Sequence, residues 1–167
     1  MRSLTAFLLL LLVSSSAEAR QRHLGRRRAI VNVVEVAAPI SLQKAAEAAA
    51  KETPLPGGEA ATKKLLLAIA RHESGFRSDV IRCRLKGDGG KAHGAYQIHP
   101  EGFGSHTSAE VCGSDRLQAR LAAKILAKYL TMFPSLGVVG AVRGYASGNP
   151  RRDTKAAREI LALWRRS

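Results

Sequence analysis

From Phe76 to Gly113 the helical period that organises the flanking sequence disappears, and that gap sets the outline of the fold. The stretch carries Gly87, Gly89, Gly90, Gly94, Gly102 and Gly104 together with both cysteines, Cys83 and Cys112. It reads as loops with room for a small hairpin or short helices. Loops of this length inside a compact domain are usually functional. Apolar residues return at helical spacing on either side, so the expected architecture is mainly α, with an irregular Gly-rich lobe set between helices.

Before the gap, Ser41 is placed to cap an Ala-rich helix over 42–52, and the Pro54-Leu55-Pro56-Gly57-Gly58 break ends it. A second helix runs from about Glu59 to Glu73 and stops at Ser74-Gly75. After the gap, Ser114-Asp115 opens a helix in which Leu117, Leu121, Ile125 and Tyr129 recur every four residues until Pro134. Val138 to Tyr145 is a short apolar helix closed by Ser147-Gly148-Asn149-Pro150, and Asp153 is the expected cap of a last helix carrying Ala157, Ile160, Leu161 and Trp164 inward. The expected organisation is three-part. Residues 1–19 form a signal peptide, 20–58 a basic, partly flexible segment with one loosely attached helix, and 59–167 the functional domain.

The signal peptide rests on Arg2, the Leu-rich run Ala6 to Val13, and the small-residue site ending in Ala17-Glu18-Ala19. The run is about half the ~20 apolar residues a membrane span needs. Cleavage after Ala19 therefore predicts an exported protein, in the periplasm, the cell envelope or outside, with no membrane span remaining. In an oxidising compartment Cys83 and Cys112 are expected to pair, although two unrelated buried thiols fit the sequence as well. The net charge of +14 favours anionic envelope polymers, lipid head groups or nucleic acid. Aromatics make up only 5% of residues and do not interleave with the basic runs, which argues against a nucleic-acid stacking platform. Arg20, Arg22, Arg26, Arg27 and Arg28 read as a solvated tail, and Ala29 to Val36 as a short strand or extended segment.

Within the helix that ends at Ser74, Glu73 shares a face with Leu66, Ile69 and Ala70 at about 100° per residue. A carboxylate on a buried face is costly to ionise, and a proton retained there is what a general acid needs. The competing reading is a helix-end Glu at a ragged edge of the core. Ser74 can hydrogen-bond a neighbouring carboxyl group, Gly94 offers backbone without bulk, Gln97 an amide, and Tyr96 and Tyr145 phenols.

Three segments in order, Glu73-Ser74-Gly75-Phe76, Gly94-Ala95-Tyr96-Gln97-Ile98-His99-Pro100 and Gly144-Tyr145-Ala146-Ser147-Gly148, resemble the soluble lytic transglycosylase family, whose domain is lysozyme-like. That family's pattern is Glu-Ser-x-Phe, Gly-Leu-Met-Gln-x-x-Pro and Ala-Tyr-Asn-Ala-Gly. Tyr96 stands in place of Met, and Ala146 in place of Asn. The resemblance covers Leu65 to Trp164 and implies cleavage of the MurNAc–GlcNAc β-1,4 bond of peptidoglycan by Glu73 alone, with a 1,6-anhydro product. It further implies that Ser74 orients Glu73, that Tyr145 points its hydroxyl toward that carboxyl or the substrate N-acetyl group, and that Tyr96 and Gln97 contact sugars. No cofactor is implied, and a monomer is expected.

Two other outcomes belong to different classes. A goose-type hydrolase would finish the reaction with water, positioned by Asp79 or Asp88, and a non-catalytic cationic protein would coat the wall without cutting it. His72, His93, His99 and His106 crowd the same region, yet His72-Glu73-Ser74-Gly75-Phe76 lacks the second His that a helical zinc site needs at i+4. No metal is expected.

Overall fold

The computed structural model describes residues 37–167, and the expectations for the signal peptide, the basic cluster and the segment ending at Val36 fall outside that range. The described chain is mainly helical and, among these residues, contains no strand. Helices run over Ile40–Glu52 (α1), Gly58–Ser74 (α2), Ser78–Ile81 (α3), Ser108–Gly113 (α4), Asp115–Met132 (α5), Gly137–Ser147 (α6) and Lys155–Arg166 (α7). No single helix among them is long and apolar enough to cross a membrane.

Helix α5 is the packing hub, with α1 against one side and α6 against another, while α2 lies between α1 and α7. Of its four-residue stripe, Leu117 and Leu121 are buried and Ile125 and Tyr129 partly so, with Ala122 and Leu126 completing the buried face. Helix α1 differs from expectation, because Leu42, Ala46, Ala49 and Ala50 are almost completely buried. An Ala-rich face lets two helices approach closely, so this segment is built into the core instead of hanging loosely from it. The helix also starts earlier than the Ser41 cap predicts, with Pro39 preceding its first residue. Proline's fixed φ suits a helix entry, which moves Ser41 into the first turn.

Helix ends follow their chemistry. Ser114 Oγ accepts the Leu117 N–H at 3.1 Å and opens α5 as expected. The final helix is capped by Thr154, whose Oγ1 accepts the Ala157 N–H at 3.2 Å. Asp153 sits one residue too early to make that bond and instead pairs with Arg158 and Arg143. Helices α2 and α7 run antiparallel, as Trp164 Nε1 donates to the Ala61 carbonyl at one end while His72 meets Glu159 at the other.

The Gly-rich lobe is short turns and two isolated bridges, Gly87–Ala92 and His93–Ile98. Two cross-links hold it. The Cys83–Cys112 disulfide joins residues 29 apart in sequence, with Cα atoms 5.6 Å apart. Closing a loop of that size contributes about 3–4 kcal/mol in the chain-entropy model. The second is Gln118 on α5, fully buried, which reaches three segments at once. Its Oε1 accepts the Ala95 N–H at 2.6 Å, and its Nε2 donates to the carbonyls of Ile81 at 3.2 Å and Val111 at 2.9 Å.

Replacing Gln118 with Leu keeps the volume but leaves the buried Ala95 N–H and Ile81 carbonyl without the amide, while the Val111 carbonyl keeps only the Ser114 N–H at 3.4 Å. Gln118→Leu is expected to lower unfolding stability by about 3 kcal/mol, read from the urea midpoint at unchanged slope. A midpoint like that of the parent protein would contradict the role given to this amide.

Candidate functional site

Glu73 lies in the last turn of α2, on the face whose other members, Leu66, Ile69 and Ala70, are fully buried. The helix stops where the sequence says it should. Gly75 takes a left-handed conformation with φ 57°, and its N–H bonds to the Arg71 carbonyl. Phe76 follows with φ 59°, a conformation uncommon outside glycine, and its N–H donates to Ser74 Oγ at 3.2 Å. Ser74 itself is buried and donates its hydroxyl hydrogen to the Ala70 carbonyl at 2.6 Å. That hydrogen is committed to the helix, so Ser74 shapes the turn beneath Glu73 and has no donor left to orient its carboxylate.

The partner that does face Glu73 is His72. Its Nδ1 lies 3.3 Å from Glu73 Oε1, and its Nε2 lies 3.1 Å from Glu159 Oε2 on α7. The two side chains at the centre keep only about a fifth of their surface exposed, at 19% and 20%, while Glu159 is half exposed at 50%. An imidazole flanked by two carboxylates is favoured in its charged form, since both ring N–H groups then donate. The His72 pKa is accordingly raised, first by the Glu73 hydrogen bond and further by Glu159, against the opposing cost of burial. Glu73 thus sits beside an imidazole, not in the purely apolar setting that the helix face alone suggests.

The second and third segments meet through one bond. Tyr145, in α6, donates its hydroxyl to the Tyr96 backbone carbonyl at 2.6 Å. Its pKa is pushed well up, first by burial and then by the negative charge of Glu73. Tyr145 is therefore close enough to sense Glu73, with its proton directed at the Tyr96 carbonyl. Tyr96 does not line a cleft. Its side chain is completely buried, its hydroxyl has no hydrogen-bond partner among the described residues, and burial with the Asp115 charge holds its phenol protonated. An aromatic ring in this position fills the core between lobe and helices, and only its carbonyl faces the site.

Gly94, expected to offer open backbone, has φ 74°, and the space a side chain there would need is occupied by the Gln118 amide. Gln97 adopts φ 48° and turns its Nε2 back on the Gly94 carbonyl at 2.9 Å, so part of its amide closes its own turn. Asp79 is held by Arg77 at 2.6 Å and accepts the Val80 N–H, which keeps its pKa low. Asp88 is exposed, with His99 Nε2 lying 3.5 Å from its Oδ2. Among the described residues, no three of His, Cys, Asp and Glu converge as a metal-ligand set.

A cavity of about 470 Å³ opens between the 99–106 segment and α5, lined by His99, Phe103, His106, Lys124, Lys128 and Tyr129. Glu73 and Tyr145 do not line it. Its link to the site is Tyr129, whose ring packs against Gly144, the residue before Tyr145. At Glu73 a partly exposed carboxylate stands beside an imidazole, with the Tyr145 phenol near enough to feel its charge, whereas the cavity combines apolar walls from Phe103, Leu121 and Ile125 with Lys124 and Lys128.

Sequence reasoning missed Glu159 and Gln118. Gln118 left one trace, as a polar residue beside Leu117 on the buried stripe of α5. Glu159 left none, since it lies 87 residues from His72. Compared with known proteins, the chain significantly matches no family model, no curated protein and no solved structure.

The raised His72 pKa gives stability a pH dependence. A group whose folded pKa lies above its ordinary value of 6.5 contributes fully below that value and loses the contribution as pH rises through the raised one. Glu159→Gln should therefore lower the melting temperature more at about pH 6 than at about pH 9. An equal loss at both would show that the His72–Glu159 contact carries no charge.

Proposed function

We propose that this protein cuts the glycan strands of peptidoglycan as a lytic transglycosylase on a lysozyme-like helical domain, with Glu73 as acid and base. The observation that carries the reading is the meeting of three sequence segments. Glu73 comes from the first, the Tyr96 carbonyl from the second and the Tyr145 hydroxyl from the third, joined by the 2.6 Å bond and by the influence of Glu73 on Tyr145. The Cys83–Cys112 disulfide fits an exported, oxidising location.

In this reading Glu73, carrying a proton, gives it to the glycosidic oxygen as the MurNAc–GlcNAc bond breaks. The electron pair of the C–O bond goes to the departing sugar. The resulting carboxylate then removes the proton of the muramyl 6-hydroxyl, whose oxygen closes on the anomeric carbon to form the 1,6-anhydro product. Glu73 ends protonated, ready for the next bond. Tyr145, its hydrogen tied to Tyr96, offers lone pairs that can accept the N–H of the substrate N-acetyl group. One enzymatic carboxylate suffices because a sugar hydroxyl takes the place of water, unlike the two-carboxylate arrangement.

Hydrolysis would need a second group to position water. Asp79 is occupied by Arg77 and Asp88 stands in solvent, so the intramolecular route is the better supported. The net charge of +14 suits a polyanionic wall. Peptidoglycan strands are the proposed partner, with anionic envelope polymers as secondary contacts.

Glu73→Gln is expected to lower turnover of purified peptidoglycan by about 10²–10⁴-fold, the usual range for a lost general acid and base, while co-sedimentation with the polymer persists. Turnover retained by a folded Glu73→Gln protein would exclude this assignment and favour a binding protein.

A further inference from the structure

In α2 and α7 the sequence Glu73–His72–Glu159 forms a line of hydrogen-bonding groups from the site to solvent. The imidazole contacts Glu73 through Nδ1 at 3.3 Å and Glu159 through Nε2 at 3.1 Å. Exposure rises along the line, from a fifth at Glu73 and His72 to half at Glu159. The arrangement has the logic of a nucleophile–imidazole–carboxylate triad, with a carboxyl group in the place of the hydroxyl.

We propose that His72 and Glu159 are positioning residues that hold the proton Glu73 needs, keeping the trio singly protonated at neutral pH and delivering that proton through Nδ1. The proposal rests on Glu73 being the catalytic acid. In the resting state the imidazole is charged and donates to both carboxylates. When a bound glycan excludes water from Glu73, the Nδ1–H bond breaks and an O–H bond forms at Oε1. His72 becomes neutral, and its Nε2–H still donates to Glu159. Charge is conserved, because an ion pair becomes two neutral groups while Glu159 stays anionic throughout. The 6-hydroxyl returns the proton at the end of each turnover, so the relay loads Glu73 once and replaces any proton lost to solvent between strands.

Neighbouring charges leave the line intact. On α7, Lys155 lies 3.8 Å from the far oxygen of Glu159, and Arg158 pairs with Asp153. On α6, Arg143 also turns to Asp153, and Tyr145 stays neutral. The α1 carboxylates are engaged elsewhere, Glu47 with Lys51 and Lys63 and Glu52 with Arg116 on α5. Arg71 precedes His72 on α2 and belongs to the same charged end.

The test uses the full chain and two readouts. In the first, the His72 ring is titrated by NMR in the parent, Glu159→Gln and Glu73→Gln proteins. The parent midpoint should lie above the ordinary value of about 6.5 and fall in each variant; an ordinary midpoint, unchanged by either substitution, would overturn the relay. This readout needs no activity, so it separates failure of the relay from failure of the glycan-cutting assignment. In the second, the pH profile of kcat/KM on purified peptidoglycan should keep its acidic limb in Glu159→Gln while its basic limb moves to lower pH. Activity above that limb then falls about tenfold for each unit of movement, and Glu159→Asp restores part of it. A profile scaled down equally at every pH would assign Glu159 a structural role and refute the proposal.

Discussion

The buried amide of Gln118 is the point on which the site depends. A lobe built from glycines and turns cannot hold its shape by backbone ladders, and among the described residues it has two isolated bridges and no strand. Gln118 replaces a ladder by bonding three segments from one side chain on the rigid hub helix. The Ala95 N–H it receives lies two peptides before the Tyr96 carbonyl that takes the Tyr145 hydroxyl, so the amide anchors the turn that carries this carbonyl. Gly94 is the complement of this device, since any side chain there would displace the amide. The disulfide limits the unfolded chain, whereas Gln118 selects the folded geometry. A fully satisfied polar residue in an apolar core gives that selectivity because every misplaced arrangement leaves a buried group unpaired.

From this support the arrangement around Glu73 follows in short steps. Tyr145 is anchored by its proton and thereby presents oxygen lone pairs near Glu73, and burial with the Glu73 charge keeps it neutral. Glu73 is placed by a helix that ends at once, through Ser74, Gly75 and Phe76, so that its side chain leaves the core and keeps a fifth of its surface open. Ser74 contributes by tightening that turn. The charged partner is His72, one residue earlier on the same helix, and its outer contact comes from the last helix of the chain. The site therefore draws on α2, α6, α7 and the Gly-rich lobe.

The helices were legible in the sequence because their apolar periods and stop signals are local. The helix bearing Glu73 begins one residue before the Glu59 start read from the pattern, and α5 starts at Asp115 behind its Ser114 cap. Local chemistry also located the gap and the cysteine pair. What the sequence concealed was each side chain's partner. Residue type marks Ser74, Gly94 and Tyr96 as site groups, whereas in the fold the side chains or space at these positions serve packing and backbone geometry. Tyr96 reaches the site through its carbonyl, an atom that carries no residue-specific signature. Glu159 and Gln118 act across 87 and 23 residues, distances over which periodicity says nothing. Helix α1 is hard to read for a related reason. An alanine face looks weak by hydrophobicity, yet it allows the closest helix approach.

The central claim is that the Glu73–Tyr145–Tyr96 junction cuts glycan strands by turning a sugar hydroxyl on its own anomeric carbon. Mass analysis of the fragments released from purified peptidoglycan reads this directly. The account predicts muropeptides ending in 1,6-anhydro-muramic acid, and fragments with reducing muramic acid ends, or an undigested polymer, would contradict it.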